Sequence, residues 1–342
     1  MNKFADTLKV SVIEYCTTIG ADPLLVQGAG GNVSWKDGDT LWVKASGTWL
    51  AEAGEKDIFV PVDLTHLRTA IENDDFSVVP RLRVELVLRP SIETLLHALM
   101  PQRVVVHLHS IEILAYLVRR DYQTDFHSLL DASINWTTVD YHKPGASLAT
   151  AVKAALASEP NVDVVFLTNH GVVIGGGDIA EVSDILNKLT KALKVTPARI
   201  CSKPQSTLIA ELEQCDQYAL IQAADVQQLA LNTDLFNRLD SNWALYPDHV
   251  VFLGARAYTY GTWAAFQEEY MNMGQQPELV FILGTGVFVR STFNEAKHAQ
   301  LRCYYDVLVR QSRYSFINTL SDVQISELLN WDAERYRKLI AK

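Results

Sequence analysis

The spacing of hydrophobic residues changes at Gly20. Apolar side chains recur three and four positions apart over residues 4–19, and the glycine that follows is a typical helix stop, so a helix is predicted there. The glycine-rich stretch 26–35 leads into residues 41–45, which end at another glycine turn. This pattern predicts short strands joined by turns.

A second group of elements follows residue 88. Residues 89–93 begin a helix that extends to about Leu99, with Ser91 at its N-cap and Glu93 in its first turn. Residues 103–110 are rich in β-branched side chains and predict a strand. The elements predicted next are a helix at 111–119, a strand at 162–167, a turn at 168–171, a returning strand at 172–174 and a helix at 181–195. Because these elements do not alternate strictly as βαβ units, we expect an α/β sandwich whose central sheet is mainly antiparallel.

The chain of 342 residues is long enough for two domains, and its character changes near residues 203–206. We therefore predict one domain at 1–204 and a smaller C-terminal α/β domain at 205–342. In the second domain, helical patterning over 205–230 precedes two strand-like runs, 250–253 and 279–283, and a final pair of helices.

Two segments of the chain resemble each other, residues 165–174 and residues 280–289. An old duplication would make the second domain a degenerate partial repeat, in which Thr285 replaces His170 and the metal chemistry is lost. The alternative is two unrelated strand–turn–strand units of similar composition. Both interpretations stay open at this point.

Composition and charge exclude several classes of partner. The formal net charge is −10, and no cluster of Lys and Arg is long enough to follow a nucleic acid backbone or an anionic membrane. A site for an anionic ligand must therefore be built locally, from backbone N–H groups, hydroxyls or a metal. The four cysteines form no CxxC pair, and no apolar segment is long enough for a membrane span. We expect a soluble cytoplasmic protein that binds neither nucleic acid nor membrane.

Two histidines lie two positions apart at the end of the strand predicted at 103–110. On a strand, His107 and His109 point to the same face and present two imidazoles side by side. A catalytic zinc site commonly uses three protein ligands, and His170, at the tip of a turn, is the candidate for the third. The simpler alternative is one buried and one exposed histidine without a metal. His97 lies on the same helical face as Glu93; a hydrogen bond to a residue of the site is one interpretation, and a structural role is the one we favour. The other histidines considered are expected at the surface: His66, His127, His142 and His298.

Six short motifs then occur in a characteristic order across about 200 residues. They are Gly30-Gly31-Asn32-Val33-Ser34, Lys44-Ala45-Ser46-Gly47, Pro90-Ser91-Ile92-Glu93, His107-Leu108-His109-Ser110, Tyr141-His142-Lys143-Pro144-Gly145 and Asn169-His170-Gly171. Together they resemble the class II aldolase/adducin family. The family includes fuculose- and rhamnulose-phosphate aldolases, ribulose-phosphate 4-epimerase, methylthioribulose-phosphate dehydratase and decarboxylases of sugar acid phosphates. The resemblance implies an αβα sandwich with a mainly antiparallel sheet.

The resemblance also implies roles for individual residues. It makes His107, His109 and His170 the zinc ligands, Glu93 the carboxylate that moves the substrate proton, and Tyr141 the acid that protonates the leaving aldehyde oxygen, often from a neighbouring subunit. The residues in the positions that hold the substrate phosphate are Gly31, Asn32, Ser46, Gly47 and Ser91. One departure is Ile92, where the family often has a second serine. The phosphate pocket therefore lacks one hydroxyl.

The function implied is that of a zinc-dependent lyase, an aldolase that cleaves a ketose 1-phosphate or related sugar phosphate through a metal-stabilised enediolate. Mn²⁺, Co²⁺ or Fe²⁺ could replace zinc. Epimerisation, dehydration or decarboxylation at the same metal site is the first alternative, and a non-catalytic adducin-like scaffold is the second. A homo-oligomer, tetramer or dimer, is expected from the family.

A glycine-rich motif raises the possibility of a nicotinamide cofactor. Residues 28–33 begin like a dinucleotide-binding fingerprint, but its last glycine is absent and no acidic residue ends a second parallel strand. Residues 246–254 resemble the middle of fusion proteins in which an aldolase half precedes a short-chain dehydrogenase. We expect a stand-alone aldolase-type unit with an accessory domain and no hydride transfer.

Overall fold

The structure is a computed structural model that describes residues 3–159, 161–203, 217–270, 276–312 and 315–341. It divides into two compact units, one formed by Met1–Val195 together with Asn330–Lys342 and the other by Thr196–Leu329. This division differs from the predicted domains, 1–204 and 205–342, in two respects. The boundary along the chain falls after residue 195 and not after residue 204. The stretch Asn330–Lys342 belongs to the first unit, because it packs against the glycine turns of that unit.

The first unit begins with helix α1 (Lys3–Gly20) and contains a sheet of seven strands. The strands are β1 (Asn32–Asp37), β2 (Thr40–Lys44), β3 (Phe59–Asp63), β4 (Val104–Leu108), β5 (Trp136–Val139), β6 (Val164–Leu167) and β7 (Gly171–Gly176). The helices between and after them are a 3₁₀ helix at Leu50–Gly54, α2 (Leu64–Glu72), α3 (Thr94–Leu99), α4 (Ile111–Leu117), α5 (Tyr122–Leu129), α6 (Ala146–Ser158) and α7 (Ile179–Ala192).

The sheet of the first unit has the order β3-β2-β1-β4-β7-β6-β5, and β5–β6 is its parallel pair while the other neighbours are antiparallel. Side chains alternate across it: Val104 and Val106 face a core shared with α1, α4, α5 and α7, whereas Val105 faces a core shared with α3 and α6. Helices therefore cover both faces. The predicted αβα sandwich with a mainly antiparallel sheet is confirmed.

The second unit is smaller and has its own sheet of four strands, in the order β8-β11-β10-β9. Its elements are β8 (Tyr218–Leu220), α8 (Gln228–Leu231), α9 (Thr233–Ser241), α10 (Pro247–Leu253), β9 (Thr259–Tyr260), α11 (Trp263–Tyr270), β10 (Leu279–Ile282), β11 (Gly286–Arg290), α12 (Glu295–Leu308) and α13 (Asp322–Leu329). The chain then returns to the first unit as α14 (Asp332–Ile340). Among the described helices, none combines the length and the apolar character that crossing a bilayer requires.

The two similar sequence segments form hairpins of the same register. Leu167 pairs with Gly171 in the β6–β7 hairpin, and Ile282 pairs with Gly286 in the β10–β11 hairpin. Each hairpin also has a parallel neighbour on one side, β5 or β9, and an antiparallel neighbour on the other, β4 or β8. The four-stranded arrangement is therefore the same in both units. Descent from one ancestral unit stays a prediction.

Two predictions for the second unit were wrong. Residues 250–253, expected as a strand, lie in helix α10, which has Pro247 in its first turn and whose side chains are buried. A short buried apolar run does not distinguish strand from helix, and Pro favours a helix start. Of the helix expected over 205–230, residues 205–216 lie outside the described residues. Within the described part, residues 218–220 form strand β8, which pairs with β11, and not a helix.

We predict that Gly20→Ala destabilises the first unit. A Cβ at Gly20 would lie 2.2 Å from the backbone nitrogen of Ala51 and 2.7 Å from the carbonyl carbon of Leu50, so α1 and the 3₁₀ helix must separate. Overpacking of this kind costs about 1–3 kcal/mol, which corresponds to a fall of several degrees in Tm. Thermal unfolding measures it. Gly261→Ala, at an exposed position with nothing within 4 Å, is the control, and equal Tm values for the two variants would contradict the prediction.

Candidate metal centre

Three buried histidines converge in the first unit. His107 is on β4, His109 follows the end of that strand, and His170 is in the turn between β6 and β7. Their exposed fractions are 0, 3 and 4 %, and one ligand nitrogen from each lies within 4.8 Å of the others. The simpler alternative, one buried and one exposed histidine, was wrong. This group could hold a metal ion.

Backbone geometry at Gly171 brings the turn close to β4. Asn169 has a positive φ of 51°, which short polar side chains tolerate, and allows the tight turn that precedes β7. A Cβ at Gly171 would lie 2.4 Å from the carbonyl oxygen of Leu108 and 3.1 Å from ring atoms of both His107 and His109. Only glycine permits this close approach. His170 is thereby placed next to the pair on β4.

One hydrogen bond fixes the tautomer of His107. Its Nδ1–H donates to the carbonyl oxygen of Val172 at 3.1 Å, so Nε2 keeps its lone pair and points at the cluster. The Nε2 atoms of His107 and His109 are 3.2 Å apart. Two nitrogens bound tetrahedrally to one zinc ion at 2.0–2.1 Å are separated by about 3.3 Å. The donor set and its spacing therefore fit a divalent metal of this kind.

Glu93 completes the group. Its Oε2 is 3.5 Å from His107 Nε2, its Oε1 is 3.4 Å from His170 Nε2, and the side-chain amide of Asn32 donates to Oε2 at 2.9 Å. Asn32 is opposite His107 in the β1–β4 register, which explains how the amide reaches the site. The carboxylate is thus held between an amide and the imidazoles.

The predicted start of α3 was displaced by two residues. Glu93 is the N-cap residue, not a first-turn residue, and its side chain makes no capping bond. Ser91, the predicted N-cap, accepts a hydrogen bond from the N–H of Glu93 at 3.1 Å through its Oγ. A serine that binds the backbone two residues later forms a turn that competes with the helix. The turn frees the carboxylate to face the histidines.

Burial and the imidazoles act on Glu93 in opposite directions. Burial raises the pKa of the carboxyl, whereas His107 and His170, followed by the other nearby histidines, lower it when they are protonated, and with that charge present the pKa lies at about 2. Glu93 is ionised across the neutral range.

The residues expected to bind phosphate lie in adjoining turns. Ala45 and Pro90 form an antiparallel bridge, beside which Ser46 N–H donates to the carbonyl of Arg89 at 2.9 Å and Ser91 N–H to that of Lys44 at 3.2 Å. This pairing brings the serines of two motifs together. The two glycines, Gly31 and Gly47, have positive φ angles of 67° and 82°. The phosphate role of all five residues stays a prediction, and the amide of Asn32 faces Glu93.

The remaining predicted residues lie elsewhere. Tyr141 is half-buried in the loop between β5 and α6, and β6 and β7 separate β5 from the strand that carries His107. Its catalytic role stays a prediction. His97 is fully buried, with its Nδ1 2.8 Å from Ser34 Oγ, and burial lowers its pKa to about 3. His127 and His298 are exposed, as predicted, whereas His66 and His142 are half-buried.

Sequence reasoning missed two partners of the site. The carbonyl of Val172 orients His107, and no side-chain pattern reveals a backbone acceptor. Helix α14 reaches the glycine turns through Arg337, whose Nη2 donates to the carbonyl of Ala29 at 3.5 Å. A contact between residues 308 positions apart leaves no local signal in the sequence.

Comparison with known proteins identifies the family. Residues 10–196 match the family model described as Class II Aldolase and Adducin N-terminal domain. The match covers more than half of the chain, and it includes every residue predicted for the site. The chain belongs to the class II aldolase/adducin family. Members of this family include metal-dependent enzymes that act on sugar phosphates, and the buried histidine cluster could hold the metal.

Two curated relatives are each similar to about half of the chain. An uncharacterised oxidoreductase of Bacillus subtilis, YuxG, is 29% identical over an alignment of 174 residues, and the match covers 46% of this chain and 25% of that protein. The L-fuculose phosphate aldolase of Methanocaldococcus jannaschii is 28% identical over 196 residues, 55% of this chain and 94% of the relative. The match thus spans only a quarter of the first relative.

Two solved structures are similar to somewhat more than half of the chain. The N-terminal class II aldolase domain of a conserved protein from Thermoplasma acidophilum has 26% identity and a TM-score of 0.45, over 53% of this chain and 90% of that chain. A sugar-phosphate aldolase from Thermotoga maritima has 17% identity and the same TM-score, over 56% and 94%.

We predict that the three histidines form one metal site. Wild-type protein loaded with Zn²⁺ and dialysed should retain about one equivalent per chain, since three imidazoles suffice for a catalytic zinc site. His107→Ala, His109→Ala and His170→Ala should each retain much less, as measured by inductively coupled plasma mass spectrometry. The exposed His298→Ala is the control. Undiminished zinc in all three variants would exclude this site.

A second prediction concerns Gly171. Because its Cβ would meet the backbone of β4 and both histidine rings, Gly171→Ala should weaken zinc binding at least tenfold and lower the Tm. Competition with a chromogenic chelator measures the affinity, and Gly261→Ala again serves as the control. Unchanged zinc affinity would show that the turn tolerates a side chain.

Proposed function

We propose that this protein is a zinc-dependent lyase that cleaves a ketose 1-phosphate, or a related sugar phosphate, into dihydroxyacetone phosphate or its equivalent and an aldehyde. The observation that carries the proposal is the convergence of three buried imidazoles with Glu93 between two of them, at 3.4 and 3.5 Å. Mn²⁺, Co²⁺ or Fe²⁺ could serve in place of zinc.

The charge of the donor set favours this chemistry. Three neutral imidazoles leave the full +2 charge of a divalent ion undiminished, and such an ion supplies Lewis-acid stabilisation of the negative charge that C–C cleavage leaves on the substrate. The proposal assigns His107, His109 and His170 as the ligands.

Glu93 is proposed to move the substrate proton. In cleavage, the hydroxyl oxygen that becomes the aldehyde loses a proton and the enediolate carbon gains one, and the ionised carboxylate of Glu93 is proposed to carry this proton to the carbon. Asn32 orients this carboxylate through its 2.9 Å hydrogen bond. Tyr141, supplied in a homo-oligomer by a neighbouring subunit, is proposed as the group beside that oxygen: it passes the proton on to Glu93 in cleavage and protonates the aldehyde oxygen in the reverse, addition reaction.

The phosphate of the substrate is proposed to lie at the turns that contain Gly31, Asn32, Ser46, Gly47 and Ser91. One relative supports a phosphorylated sugar as the substrate, because it is an L-fuculose phosphate aldolase by name. Epimerisation, dehydration or decarboxylation at the same residues would share the enediolate with retro-aldol cleavage. Product analysis by NMR separates these reactions from retro-aldol cleavage.

We predict that activity depends on the metal. Protein treated with a chelator should lose cleavage of deoxyketose 1-phosphates, and added Zn²⁺, Mn²⁺, Co²⁺ or Fe²⁺ should restore it, because the developing charge is otherwise unstabilised. Release of dihydroxyacetone phosphate is followed with glycerol-3-phosphate dehydrogenase and NADH. Full activity after complete removal of metal would end the lyase proposal.

Glu93→Gln tests the proton transfer. The amide keeps the shape of the side chain but cannot accept a proton, so kcat should fall by about 10²–10⁴ while zinc content is retained. The control, Glu55→Gln, changes an exposed carboxylate that is not part of the site. Retention of wild-type kcat by Glu93→Gln would assign the proton transfer to another group.

A further inference from the structure

Helix α14 buries one pair of its charged residues and exposes two apolar residues at its C-terminal end. Glu334 and Arg337, one turn apart, have exposed fractions of 2 and 9 %, whereas Leu339 is 66 % exposed. A helix that serves only to complete a core does the opposite, because burial of ionised side chains costs free energy unless they are paired. The burial of this charged pair indicates that the buried face of α14 serves polar interactions and not only the packing of a core.

The buried face of α14 lies on glycine turns of the first unit. A Cβ at Gly47 would be 2.6 Å from Cβ of Ile340 and 2.9 Å from the carbonyl oxygen of Arg337, so the helix backbone rests directly on this turn. At the other end, Trp331 comes within 3.3 Å of the position of a Cβ on Gly145. Two glycines with positive φ therefore admit the helix.

Two positively charged side chains donate to the same backbone carbonyl oxygen, that of Ala29, in the loop before Gly31. Arg337 Nη2 donates to the carbonyl of Ala29 at 3.5 Å, and Lys44 Nζ donates to the same oxygen at 3.2 Å. Both side chains are buried. Two cationic groups thus lie beside the turns that are proposed to hold the substrate phosphate.

Several of the expected phosphate donors are engaged with the protein itself. The N–H of Ser46 donates to the Arg89 carbonyl, and the amide of Asn32 donates to Glu93. Ile92 also provides no hydroxyl where the family often has one. An acidic chain that binds a phosphate monoester here needs a further donor, and a guanidinium offers five N–H groups in a planar fork.

We propose that α14 covers the phosphate subsite and that Arg337 binds the phosphate monoester of the substrate, an inference that rests on the proposed function. Glu334 is the partner of Arg337 in the structure described, with N···O distances of 3.4 and 3.5 Å. Arg–phosphate bonds are shorter, about 2.7–2.9 Å. The phosphate therefore competes with Glu334 for the guanidinium, and Arg337 selects phosphorylated over non-phosphorylated sugars.

The test measures binding of inorganic phosphate to the full chain by isothermal titration calorimetry, with and without zinc. Arg337→Gln removes the proposed donor, and Glu334→Gln removes the competing carboxylate. Arg335→Gln is the matched control, since Arg335 is on the same helix, is 59% exposed and pairs with Asp332 at 3.1 Å. Zinc content and Tm are measured for every variant.

Arg337→Gln should weaken phosphate binding about tenfold to a hundredfold, the effect of one charge-assisted hydrogen bond, with zinc content unchanged. Arg337→Lys should restore part of the loss. Glu334→Gln should bind phosphate more tightly than wild type, which a merely structural ion pair would not produce. In the lyase assay, Arg337→Gln should raise KM far more than it lowers kcat.

Two results would overturn the inference: no phosphate binding by wild type, or equal affinity in wild type and Arg337→Gln. Lyase activity that persists with an unchanged KM in Arg337→Gln would refute the role of α14 and leave the proposed function intact. Conversely, suppose that the wild type binds phosphate but cleaves no sugar phosphate, while Arg337→Gln loses phosphate binding. That combination would support the phosphate subsite and refute the lyase proposal.

Discussion

Four ionisable side chains share a buried space in the first unit, and the surrounding fold makes that arrangement tolerable. Isolated buried charges cost several kcal/mol, whereas charges that are hydrogen-bonded and paired cost far less. Here Glu93 has Asn32 on one side and imidazole nitrogens of His107 and His170 on the other. The sheet register supplies these partners, so the site and the packing of β1, β4 and β7 depend on one another.

The sequence was most informative where chemistry follows strand geometry. The two-residue spacing of His107 and His109 predicted their convergence, and the αβα sandwich followed from the order of elements together with the family motifs. The start of α3 could not be predicted, because Ser91 fits an N-cap by type but binds the backbone of Glu93 instead. Helix α10 was missed since a short apolar run has no period. Helix α14 was missed as part of the first unit because its contacts lie about 300 residues away.

The second unit has the same strand arrangement as the metal-site part of the first unit, but other side chains occupy the positions that correspond to the histidines. Leu220 pairs opposite Phe288 on β11, as His107 pairs opposite Val173 on β7. The side-chain amide of Gln227 lies between β11 and the residue that follows β8. Its oxygen accepts a hydrogen bond from Val287 N–H at 2.7 Å, and its nitrogen donates to the Ile221 carbonyl at 2.6 Å. Its Oε1 would be 2.9 Å from a Cβ on Gly286, where Gly171 faces His107 and His109 in the first unit. An amide thus joins two strands at this position.

The first unit is assembled from two stretches of chain, with residues 196–329 between them. Those intervening residues therefore connect α14 to the rest of the first unit along the chain. A folded connection has a fixed span, whereas an unfolded one must close a long flexible loop and lowers the effective concentration of the helix at its docking place. Unfolding of the second unit would therefore weaken the docking of α14 on the glycine turns, even though none of the three histidines of the cluster belongs to that unit.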